Sequence, residues 1–167
     1  MVMKTKHITA LVAFFATFVF SVGLALYFTP IDSNRVKALN LFNNDKQISR
    51  RIGNVLRQDI SNGVQRQNNY GEMDNAQLIT EYANKSAQID VENLPADFQN
   101  AWFKHMNAWH NYADFMQDME NPKLRNNYDE VQISQMAGEH NSKINTTWYQ
   151  VLRIAKKYGT PIPANAY

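Results

Sequence analysis

Beyond residue 30 the apolar residues recur every three or four positions, the repeat of helices that bury one face. The clearest run is Phe98, Trp102, His105, Trp109, Tyr112, Met116 and Met119, with steps alternating between four and three. That alternation is the a/d seam along which helices pack together. Asn93 and Pro95 suit its start, Asp97 suits the positive end of the helix dipole, and Asn121-Pro122 closes it. A last helix is predicted from about Tyr128 to Tyr158, on a seam running through Ile133, Ala137, His140, Ile144, Thr147, Val151 and Ile154. Trp148, Leu152 and Ala155 widen its apolar face. Gly159 stands where a left-handed cap ends a helix, two residues before Pro161.

Two earlier segments carry weaker versions of the same pattern. Ile48, Ile52, Val55, Leu56, Ile60 and Val64 predict one amphipathic helix. A short helix with Val36, Leu39 and Phe42 is expected before it, broken at Asn43-Asn44-Asp45. Residues 67–75, QNNYGEMDN, read as a polar loop. Arg66 would fall on the first ligand position of a calcium loop aligned on Gly71, which excludes that motif. A helix from about Ala76 to Ile89 follows, with Leu78, Ile79, Tyr82 and Ala83 on its apolar side. No alternating strand pattern is present. The expected fold is all-α, an antiparallel bundle of about four helices over residues 29–167.

The N-terminus is of another kind. Residues 8–28, ITALVAFFATFVFSVGLALYF, hold 21 residues without a charge, enough for roughly 31 Å of helix at the usual rise. This predicts a single transmembrane signal-anchor in the lipid bilayer. Lys4 and Lys6 precede it and Asp32 follows, so residues 1–7, including His7, are expected to be a cytoplasmic tail. The rest is then extracytoplasmic, periplasmic in a Gram-negative cell. Gly23 and Ala25 fit signal-peptidase cleavage before Leu26, but the apolar run continues through Tyr27 and Phe28, which favours an uncleaved anchor.

Charge narrows the partners. Of 17 basic residues two lie in the tail, leaving 15 against 15 acidic ones, so the exported part sums to zero. Such a balance offers no basic field for nucleic acid. Residues 32–66 carry seven basic and three acidic side chains and residues 67–130 four and eleven, the pattern of neighbouring helices with complementary charge. The alternative to that pattern is a docking patch, with Arg50, Arg51 and Arg57 facing anionic headgroups near the anchor.

Candidate chemistry is sparse. With no cysteine, the chain has no disulfide, thiolate nucleophile or covalent haem attachment. Phosphate-loop, nucleophile-elbow, zinc-protease and dinucleotide motifs are all missing, as is the paired Glu-x-x-His of di-iron bundles. Ala101-Trp102 and Ala108-Trp109 repeat at seven residues because both tryptophans lie on one seam. Trp102, Trp109, Tyr112 and Trp148 are therefore core candidates, and His110, off the seam, is expected to be solvated.

His105 and His140 remain, one imidazole on each strong seam. The simpler reading is a neutral histidine bonded to a hydroxyl, amide or carbonyl, for instance from Tyr82 or Tyr112. The sharper one is a metal or non-covalent haem site, since counting from the connection sets the two about 6 Å apart in height. The expected function is a non-enzymatic binding or scaffold module at the membrane's outer face, facing an envelope protein partner. A metal- or haem-binding bundle and an enzyme with a dispersed site are the alternatives. No cofactor is expected on the first reading.

Overall fold

The computed structural model describes residues 33–166. The expected anchor, residues 8–28, and its tail lie outside them. None of the described helices is long and apolar enough to cross a membrane. The chain divides into two compact units after Leu41. Of the first, residues 33–41 are described, and they are helical. The second, Phe42–Tyr167, holds the core.

The described residues are all-helical, with no strand among them. Helix α1 is Ser33–Asn68, α2 Asn75–Ala87, α3 Ala96–Glu120, α4 the single turn Pro122–Arg125, and α5 Glu130–Lys157, before a 3-10 turn at Ala164–Ala166. α1 runs through Asn43-Asn44-Asp45, where a break is expected from the sequence. These residues lower helix propensity by only fractions of a kcal/mol each, and neither glycine nor proline accompanies them.

The helix ends follow their sequence. Asp129 and Gln132 form a reciprocal capping box at the start of α5: the Gln132 backbone N–H donates to the Asp129 carboxylate at 2.8 Å, and the Asp129 backbone N–H donates to the Gln132 side-chain Oε1 at 2.9 Å. At the other end the Thr160 N–H reaches the Ala155 carbonyl and the Gly159 N–H that of Lys156, closing a Schellman motif around Gly159 at φ +67°. Asp74 caps α2 through the Ala76 N–H.

Contacts between the helices fix their directions. Along α3, Asp97 meets Lys157 and Tyr158, His105 meets Thr147, and Tyr112 and Phe115 meet His140, so every advance on α3 is a retreat on α5. α2 runs antiparallel to α3 in the same sense, since Ala76 bonds Glu120 and Thr80 bonds Gln117. Arg66 of α1 lies over Tyr82, Asn62 bonds Ser86, and Arg51 bonds the carbonyls of Glu92 and Asn93 beyond α2. The helices thus alternate up and down.

α3 is the central element. Phe98 and Trp102 are fully buried among Ile52 and Leu56 of α1, Val151 and Leu152 of α5, and Val91 and Leu94 of the α2–α3 link. Burying a side chain of this size is worth roughly 1.5–3 kcal/mol. The first turn of α5 overhangs this core, and Val131 is 76% exposed. Arg125 pairs with Glu130 and Lys157 with Asp97, and neither of these pairs joins basic α1 to its acidic neighbours.

Candidate functional site

Ile52, Asp59 and Arg66 stand seven residues apart on α1 and share one stripe of the helix. Ile52 enters the core. Asp59, about two turns further along, is only 4% exposed, and the Tyr82 hydroxyl donates to its Oδ1 at 2.9 Å. Burial raises the Asp59 pKa, outweighing the Ser86 and Tyr82 hydroxyls and the Arg66 charge, which all favour the carboxylate. The Tyr82 phenol is pushed up as well, first by burial and then by the nearby Asp59 charge. Asn62 donates to the buried Ser86 hydroxyl at 3.1 Å, so Asp59 and Asn62 of α1 both bond polar groups of α2.

Arg66 closes this stripe. Its guanidinium lies 4.8 Å from the Tyr82 ring and 4.5 Å from the Trp109 ring, and those two rings meet edge to face at 4.6 Å. An arginine face held against two aromatic rings is a cation–π arrangement worth about 0.5–2 kcal/mol per contact, the larger value where water is excluded.

The histidine comes next in the same chain of contacts. The Trp109 indole N–H donates to His105 Nε2 at 3.2 Å. Nε2 is therefore the acceptor, and the proton sits on Nδ1, which donates to the Thr147 hydroxyl at 3.0 Å. That hydroxyl in turn faces the Lys143 and Ile144 carbonyls at 2.9 Å each. His105 is 2% exposed, and burial depresses its pKa to about 4, against a smaller opposing pull from the Ile144 backbone. Trp148 lies 5.0 Å from the imidazole and donates its indole N–H to the Ala166 carbonyl at 2.7 Å, tying the C-terminal segment to α5.

Two clefts open beside these groups and share Arg66, Gln67 and Trp109 in their walls. One, of about 420 Å³, is bounded by Asp59, Tyr82, His105, Asn145, Trp148 and Asn165. The other, of about 520 Å³, is bounded by Tyr70, Leu78, Ile79, Tyr112, Met116 and Asn141. Both volumes fall in the usual range of small-molecule sites. Arg66 stacked on Trp109 is the partition between them.

Of the residues singled out from sequence, Trp102 is fully buried, His105 is buried, and Trp109, Tyr112 and Trp148 are half-buried at the edge of the core. His110 is half-buried rather than solvated. The hydrogen-bond partners of His105 are Trp109 and Thr147 instead of Tyr82 or Tyr112. His140 stacks on Phe115 at 5.0 Å and Tyr112 at 5.8 Å. Those rings lie seven to ten residues beyond His105 on α3, which separates the two imidazoles by roughly 10 Å or more of helix rise. The larger offset reflects the overhang of α5 past the end of α3. Among the described residues no group of three or more His, Asp or Glu side chains is placed to hold a metal ion.

Asp59 and Arg66 escape the apolar pattern because hydrophobic periodicity counts only apolar positions. Their signal was there, as two charged residues in register with Ile52 on a buried stripe. Trp102 Nε1 is buried without a hydrogen-bond partner in this region of the core. No protein-family model, no curated protein and no solved structure matches the chain.

Proposed function

We propose that this chain is a binding module tethered to a membrane by residues 8–28, with its bundle on the extracytoplasmic side and its ligand site in the paired clefts around Arg66 and Trp109. The single observation that supports binding is the Arg66 guanidinium, lying over the edge-to-face pair of Tyr82 and Trp109 and bordering both clefts. A cation held by two rings and backed by a buried hydrogen-bonded carboxyl is an oriented recognition group. The titratable side chains beside it are committed to internal bonds: His105 uses both nitrogens and Asp59 accepts from Tyr82. That commitment suits holding a ligand better than moving a proton. The charge difference across the apolar run supports the orientation.

Two measurements test the reading. Reporter fusions after Tyr167 should be active only outside the cytoplasm, and the mature chain should retain Met1 or Val2. Full-length protein extracted from its membrane in mild detergent should carry a small molecule in native mass spectrometry, and the Trp109→Ala chain should release it. A ligand retained equally by both chains, or a reporter active inside the cell, contradicts the proposal.

A further inference from the structure

The larger cleft has an unusual charge content for its size. Among the described residues in its wall Arg66 is the sole charged one, set against Leu78, Ile79, Trp109, Tyr112 and Met116, with the neutral amides of Gln67, Asn75 and Asn141 beside it. Among the described residues the Arg66 side chain makes no hydrogen bond and no ion pair; its contacts are the two rings. Asp59, whose charge it feels, is already bonded to the Tyr82 hydroxyl. The Arg66 Cζ lies over both rings, and its side-chain N–H groups remain for recognition; a guanidinium meets a carboxylate with two parallel hydrogen bonds.

We propose that this cleft binds a small monocarboxylate with an aromatic or short aliphatic body, its carboxylate on Arg66 and its body against Leu78, Ile79, Tyr112 and Met116. The assignment rests on the binding-module reading above and adds the ligand's chemistry. One guanidinium balances one negative charge. A phosphate dianion would leave its second charge unpaired against apolar walls, and an amine would be repelled by Arg66. The amides supply neutral donors for any carboxylate lone pair that Arg66 leaves open.

The test uses the full chain in phosphatidylcholine nanodiscs at about pH 7, labelled with ¹⁵N and titrated separately with phenylacetate, phenylacetamide and inorganic phosphate. Phenylacetate should shift the Trp109 indole resonance saturably and leave that of core-buried Trp102 in place. Its affinity should exceed that of the neutral amide by roughly tenfold or more, the usual worth of a hydrogen bond to a charged group. Phosphate should give no saturable shift. Arg66→Met should reduce phenylacetate binding to the level of the amide, and Arg66→Lys should fall between. If Arg66→Met does not fold, the comparison of acid with amide on the unaltered chain decides alone. Equal binding of acid and amide overturns the carboxylate while leaving the cleft a ligand site. Saturable phosphate binding at Trp109 overturns it in favour of a general anion site. No Trp109 shift with any probe overturns it outright, and the co-purification experiment then tells whether the binding-module reading survives.

Discussion

Acidification should weaken this bundle through one residue, and the size of the effect follows from the surroundings of His105. Its imidazole is 2% exposed, accepts from the Trp109 indole at Nε2 and donates from Nδ1 to Thr147. A second proton would need a place on Nε2, where the Trp109 N–H already points. Burial lowers the folded-state pKa to about 4, from the 6.5 of a free histidine. Between those values the unfolded chain holds more protons than the folded one. The His105 contribution to stability therefore falls as pH drops through about 6.5 and levels off below about 4. Each unit of separation is worth about 1.4 kcal/mol, so going from about pH 7.5 to about pH 4.5 should remove about 2–3 kcal/mol, a large part of a small domain's stability. Asp59 acts in the opposite sense. Its pKa is raised, so its contribution is full below the carboxylate's normal range and is lost as pH rises through the raised value. The two are separated by comparing the full chain with His105→Leu, which lacks the imidazole and keeps every other titrating group. Denaturant unfolding followed by tryptophan fluorescence at both pH values should show the wild-type chain losing about 2–3 kcal/mol more than the variant. Equal losses, or a His105 resonance titrating near 6.5, would refute the buried neutral imidazole.

Trp102→Ala should cost about 3–5 kcal/mol in the same unfolding assay, and Trp109→Ala clearly less, because Trp102 is fully buried and Trp109 half-buried; reversal of that order would contradict the core drawn here. Tyr82→Phe should cost about 1–3 kcal/mol, since it removes one of the hydroxyl donors to the buried Asp59 carboxyl, and a neutral result would show that the Ser86 hydroxyl satisfies that carboxyl without it. Gly159→Ala should lower stability by about 1–2 kcal/mol through the positive φ alone, read as a drop in melting temperature. Added zinc, nickel or haem should leave the melting temperature unmoved, because both His105 nitrogens are engaged and His140 stacks elsewhere; a rise abolished by both His105→Ala and His140→Ala would establish a metal or haem site instead.

The helices of this protein were readable from residue order because burial of one face imposes a period that any packed helix must show. Phe98, Trp102 and His105 on α3, and Ile144, Thr147 and Val151 on α5, lie in the buried positions their spacing demands. Gly159 at the left-handed cap was equally plain, since its role depends only on the backbone of its own turn. Local propensity was less decisive at Asn43-Asn44-Asp45, where small unfavourable preferences did not stop a helix. The site needed the third dimension. That Asp59 meets Tyr82, that Arg66 lies over Trp109, and that His105 bonds Thr147 rather than facing His140 all depend on how far one helix slides past the next. A seam repeats every seven residues and so looks alike at several registers, with each slip of one heptad still burying an apolar face. The register is settled only when the whole set of side chains packs at once, with the Asp97 contacts to Lys157 and Tyr158 at one end of the bundle and the overhang of α5 at the other.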